Sequence, residues 1–219
     1  MDTKRFAFAA LFIGLVGIAL QAVQIATYDK YLSTEWSYAA SQWNHLAFFT
    51  VIINFTVDVW LILIAISIFF KLKKLYTRLT APSLHGALVL YILTVSVIYC
   101  GLLFWFIGPY SMELWWGNII DMWNHFVVPL FMVLVFWFVR ASKSIRPRML
   151  WFWQIFPLVY FLFSLIRGLI TEWYPYPFFK PSWVVFPIGV IIVTAIFIGL
   201  GYVIIRLHNA KVKRTTASS

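Results

Sequence analysis

Long, unbroken apolar runs set the pattern of this chain. Six can be marked, at about 6–26, 47–70, 84–106, 119–139, 150–170 and 184–205. Each is about 21 to 24 residues long, enough for a helix rising 1.5 Å per residue to cross a hydrocarbon core of about 30 Å. Hydrophobicity is continuous rather than alternating with period two, which predicts helices and not barrel strands. The expected architecture is all-α: a polytopic bundle of six transmembrane helices forming a single domain over residues 1–219. Lys4-Arg5 before the first run resembles the start of a signal peptide, but the run is long for one and no small-x-small cleavage site follows. An uncleaved first span is the reading.

The positions that interrupt the pattern give it direction. All but Lys30, Arg167 and Lys180 of the 17 basic residues lie before the first run, after the second, fourth or sixth, or inside the sixth-run tail. By the positive-inside bias both termini are expected in the cytoplasm. At the other edge, Trp36, Tyr38, Trp43, Trp115, Trp116, Trp173, Tyr174, Tyr176 and Trp183 gather as interfacial rings do. The outer connections are too short to fold alone, so a site must be built from the helices and their outer mouths.

Composition agrees: 63% of the 219 residues are hydrophobic and 11% charged, with mean hydropathy +0.89. The net charge of +10 lies in short loops and suits topology, so no nucleic-acid partner is expected. Cys100 stands alone within an apolar run and reads as a small buried residue. No close-spaced ligand pair such as HExxH occurs, so neither a metal nor another cofactor is expected.

Polar residues at membrane depth are costly and mark candidate sites. Asp121 and His125 are four apart and share a helix face. The second run carries Thr50, Asn54 and Asp58, also spaced by four. Thr50 lies about 10 Å beyond Trp43 at 1.5 Å per residue, a depth similar to that of His125. Arg167 lies about one turn from the outer end of the fifth run.

These residues suit an acyl-transfer site. Thr50 would be the nucleophile, His125 the base and Asp121 its orienting group, with Asn54, Asn124 and Arg167 as oxyanion or substrate-binding donors and Asp58 as a further binding residue. The same residues also fit interhelical polar packing, or ion binding and transport. Ala10, Gly14 and Gly17 share a face of the first helix and read as close-packing positions, while Pro129 and Pro157 are expected to kink the fourth and fifth helices.

Several stretches together carry a resemblance: FFTVIIN (48–54), HGALVLYILTVSVIY (85–99), HFVVPL (125–130), IRG (166–168) and WYPYPF (173–178). In order and over nearly the whole length, the chain resembles the prokaryotic branch of six-helix membrane proteins related to the vertebrate androgen-induced-gene proteins. The resemblance implies a membrane-embedded threonine hydrolase of fatty-acid esters of hydroxy fatty acids. Its threonine and histidine match Thr50 and His125, and its partner would be a membrane lipid or long-chain acyl ester. Asp121 and Asn54 are not assigned by it. Ile53 and Phe136-Trp137 stand where prokaryotic relatives often have serine and an Asp-Trp pair.

Overall fold

The computed structural model describes residues 2–27, 43–103, 115–139 and 143–217. Among them there are six helices long and apolar enough to cross a membrane, and no strands. The protein is an all-α, multi-pass integral membrane protein. The first span is Thr3–Thr27, the second Phe49–Phe69 and the fifth Met149–Thr171, each close to its apolar run. The bundle is organised by the third span, which packs against the second, fourth and sixth; the first lies against the second and the start of the fourth.

Two spans are not uniform α-helices. The third is α-helical over Pro82–Ile98 and continues as a π-helical turn, Tyr99–Leu103. The last residues of the expected third run, 104–106, lie outside the described residues. The fourth span is α-helical over Trp115–Met122, π-helical over Trp123–Val127, and α-helical again over Val128–Phe138. Pro129 is the second residue of that last segment, directly after the π turn.

Prolines 129 and 157 each free a carbonyl four residues earlier. Inside a membrane that carbonyl needs another donor. The third span supplies both: Ser96 Oγ donates to His125 O at 2.7 Å, and Tyr91 Oη donates to Trp153 O at 2.8 Å. The fifth span thereby carries Pro157 within one continuous helix.

Small residues set the closest helix contact. A Cβ on Gly17 would lie 2.3 Å from Asp58 Oδ2, and one on Gly14 would lie 2.6 Å from Asp58 O. The first and second spans meet at the glycine face legible in the sequence, with Ala10 fully buried.

At the basic end, the sixth helix outruns its apolar stretch, extending over Val185–Ala217. Polar contacts hold the extension. Asn209 exchanges two hydrogen bonds with the Ile145 backbone, at 2.8 and 2.9 Å. Lys211 Nζ donates to the carbonyls of Phe136 and Val139, at 3.1 and 2.6 Å, which satisfies the open carbonyls ending the fourth span. A short helix, Lys73–Leu79, lies in the basic connection between the second and third spans.

Candidate functional site

The second span begins without a side-chain cap of its own. Its first N–H groups have no intrahelical acceptor, and two tyrosines from elsewhere in the chain serve them. Tyr160 Oη, on the fifth span, accepts from Phe49 N at 3.0 Å and donates to Ala47 O at 2.9 Å. Tyr176 Oη accepts from Thr50 N at 3.3 Å and lies 3.3 Å from Thr50 Oγ1. One turn deeper, Asn54 Nδ2 donates to Thr50 O at 2.9 Å. Thr50 is thus pinned by its backbone and its side chain.

The loop after the fifth span delivers Tyr176. Glu172 ends that helix with φ 58°, and the chain turns back. The Tyr174 ring packs directly against Gly168, where a Cβ would meet it at 2.1 Å, so only glycine admits this return. Phe48 packs edge-on to both Trp173 and Tyr176, each at 5.6 Å between ring centroids.

Thr50 and Tyr176 open onto a cavity of about 310 Å³, at the low end of the roughly 300–1,000 Å³ usual for ligand sites. Its walls are almost wholly apolar: Val95 and Ile98 of the third span, Pro157 and Phe161 of the fifth, Val193 and Phe197 of the sixth. Gln154, Tyr160 and Thr194 are the other polar side chains on the wall. The proline that frees the Trp153 carbonyl therefore also lines the cavity.

Asp121 and His125 form a second cluster, at the facing π turns. His125 Nδ1 is 3.0 Å from Asp121 O and 3.5 Å from Asp121 Oδ1. Tyr99 Oη donates to Asp121 Oδ2 at 2.7 Å, and its ring stacks on the imidazole with centroids 3.7 Å apart. The i, i+4 spacing does bring acid and imidazole together. With Nδ1 directed at Asp121, Nε2 is the nitrogen left for other chemistry.

The structure does not join Thr50 to His125 by a hydrogen bond, and His125 is not on the cavity wall. The third span explains the separation. Val95 and Ile98 face the cavity while Ser96 and Tyr99 face His125, and these two pairs lie about 100° apart around a helix with 3.6 residues per turn.

The remaining candidates are dispersed. Arg167 donates from Nη2 to Asn44 Oδ1 and lies over the Trp173 ring, 4.7 Å from its centroid. Asp58 is fully buried and accepts from Gln21 Nε2 at 3.0 Å. It does not pair with Arg167. Asn124 is buried, and its Oδ1 makes no hydrogen bond among the described residues. No cluster of three or more His, Cys, Asp or Glu that could hold a metal occurs among those residues.

Tyr160, Tyr176 and Tyr99 are the participants that residue spacing alone did not nominate. The available signal was chemical, since a phenol in an apolar helix or its mouth seeks a polar partner. No family model, curated protein or solved structure matches this chain. The resemblance therefore rests on the five stretches quoted above.

Proposed function

We propose that the chain binds a membrane lipid through its acyl chain in this cavity, with an ester carbonyl at Thr50 and Tyr176, and hydrolyses that ester. The carrying observation is the pair of hydroxyls, 3.3 Å apart, at the edge of an apolar cavity of about 310 Å³. Such a site accepts hydrocarbon, each buried methylene contributing about 0.8 kcal/mol, and offers a polar group where an acyl chain ends. The stretches matching Thr50 and His125 to the androgen-induced-gene family add to the reading.

In the reaction, Thr50 Oγ1 bonds to the carbonyl carbon and its proton passes to a base. The ester C–O bond then breaks, and the departing alkoxide takes that proton. Water next attacks the acyl-threonine, releasing the fatty acid and restoring the hydroxyl. Tyr176 Oη is placed to donate to the carbonyl oxygen as it gains charge. His125, held through Nδ1 by Asp121, is the base in this scheme. Catalytic hydrogen bonds are often long in unliganded enzymes and tighten in the complex. Reaching Thr50 requires the fourth span to give at its π turn, a feature frequent at functional sites. Asn54 holds the Thr50 turn, and Arg167 at the outer mouth suits a polar head group. In the proposed orientation the basic end faces the cytoplasm and the cavity lies in the outer half of a bacterial cytoplasmic membrane.

A second reading, acyl-lipid binding without turnover, is favoured by the position of His125 off the cavity wall. Purified protein should hydrolyse long-chain acyl esters, and Thr50→Ala and His125→Ala should each lower the rate at least about 100-fold while melting like the wild type. Saturable lipid binding without hydrolysis by the wild type selects the second reading. Full activity in Thr50→Ala removes Thr50 as nucleophile.

A further inference from the structure

Between the first and second spans lies a set of polar groups the cavity does not use. Asp58 is nine residues into the second span, or about 14 Å from its outer end at 1.5 Å per residue, near the middle of a hydrocarbon core of about 30 Å. It is fully buried. Its Oδ2 accepts from Gln21 Nε2, and its Oδ1 makes no hydrogen bond. No cationic side chain forms an ion pair with it among the described residues.

Two neighbouring amide oxygens are in the same condition. Asn54 is fully buried one turn toward the outer end of the same helix face; its nitrogen is committed to Thr50 O, and its Oδ1 has no partner. Gln24 Oε1, on the first span, is buried without a partner. The antiparallel register sets its level. Gly14, Gly17 and Gln21 all meet Asp58, so four residues outward on the second span, at Asn54, the first span presents the residues around Gln21, and a helical side chain at Gln24, less than a turn beyond, leans back toward that level. Three buried oxygens thus lack a donor, and one of them belongs to a carboxylate. Hydrocarbon does not tolerate such a group uncompensated.

The geometry points to a monovalent-cation site formed by Asp58 Oδ1, Asn54 Oδ1 and Gln24 Oε1, with sodium as its ion. Oxygen-only ligands suit a hard cation. A single carboxylate neutralises one positive charge, whereas a divalent ion would leave net charge in the apolar interior. The helices meet so closely that glycine is required at positions 14 and 17, which favours the smaller sodium ion over potassium. Asn54 would connect the site to the cavity: its oxygen holds the ion while its nitrogen holds the Thr50 carbonyl. Sodium would then order the turn that carries Thr50.

The test is thermal unfolding of the full chain in detergent, followed by tryptophan fluorescence, as sodium replaces choline at constant ionic strength. Sodium at 100-fold above its Kd should raise Tm by roughly 5 °C or more, saturably, and potassium should not. Asp58→Asn should remove the sodium response, and Asn54→Ala should move its midpoint at least about tenfold higher. Should Asp58→Asn fail to fold, equilibrium binding of radioactive sodium to the wild type decides, one ion per chain being the expected stoichiometry. Absence of saturable sodium binding overturns the proposal. So does a response equal in sodium and potassium, or one that survives in Asp58→Asn.

Discussion

Replacing Tyr160 by phenylalanine isolates the contact that fixes the mouth of the second span. The ring stays, and with it the packing on Phe49 and Phe179 at centroid distances of 5.0 and 6.1 Å. Only the hydroxyl is lost. That hydroxyl accepts from Phe49 N at 3.0 Å and donates to Ala47 O at 2.9 Å. Phe49 N is a first-turn N–H with no carbonyl four residues back inside the helix. A typical hydrogen bond contributes about 1 kcal/mol net, and a buried group left unpaired costs about 1–3 kcal/mol. Two bonds and two stranded backbone groups together give a loss of about 2–4 kcal/mol. For a chain of 150–250 residues this corresponds to a fall in Tm of roughly 4–16 °C. The assay is thermal unfolding of purified Tyr160→Phe and wild-type protein in the same detergent. A Tm within 2 °C of wild type, taken as about 0.5–1 kcal/mol, would refute the claim that Tyr160 carries this helix start.

Two further predictions concern stability. Gly17→Ala puts a Cβ 2.3 Å from Asp58 Oδ2 and should destabilise by about 1–3 kcal/mol through overpacking. Gly199→Ala is the control, because nothing lies within 4 Å of its added Cβ; it should be neutral or stabilise by up to about 1 kcal/mol through helix propensity. Equal melting temperatures for the two variants would contradict the close contact of the first two spans. The second prediction follows from His45, which lies just before the second span and is 2% exposed. Burial pushes its imidazole down to about 4 from the usual 6.5. The folded state therefore disfavours the charged form, so this contribution is complete above pH 6.5. It is lost as pH falls from 6.5 toward 4, by up to about 3 kcal/mol. Unfolding measured at pH 7 and pH 4.5 should show the loss in wild type and a smaller one in His45→Gln, and equal losses would exclude His45 as the cause.

The helices were legible because their signal is local. Twenty apolar residues cross a bilayer whatever surrounds them, and the Gly14–Gly17 face and the Asp121–His125 spacing follow from helical periodicity alone. The π turns were not legible. The one in the fourth span ends just before Pro129, and Ser96 on another span donates to the His125 carbonyl at 2.7 Å, a pairing that depends on how two helices rotate; nothing in the sequence of the third span marks its π turn. Sequence marks prolines 129 and 157 as expected kinks in the fourth and fifth helices but does not name the hydroxyls that make them tolerable.

The candidate site divides the same way. Thr50 and His125 share a depth that can be counted in residues. Their azimuths cannot be counted, because these depend on the third span, which places Val95 and Ile98 toward the cavity and Ser96 and Tyr99 toward the imidazole. Tyr176 reaches Thr50 across 126 residues of chain. Its route depends on the turn at Glu172 and on Gly168 admitting the Tyr174 ring. The sequence marked that stretch only as interfacial aromatics and as the WYPYPF portion of the resemblance.

The central claim is that an acyl chain lies in the cavity with its ester at Thr50. Photolabelling with a long-chain ester carrying a diazirine on the acyl chain, followed by peptide mapping, tests it most directly. Adducts should concentrate on Val190, Val193, Thr194 and Phe197 of the sixth span, which line the cavity, and excess unlabelled ester should compete them away. Adducts spread over outward-facing residues such as Phe152, Ile166 and Ile191, without competition, would contradict the account.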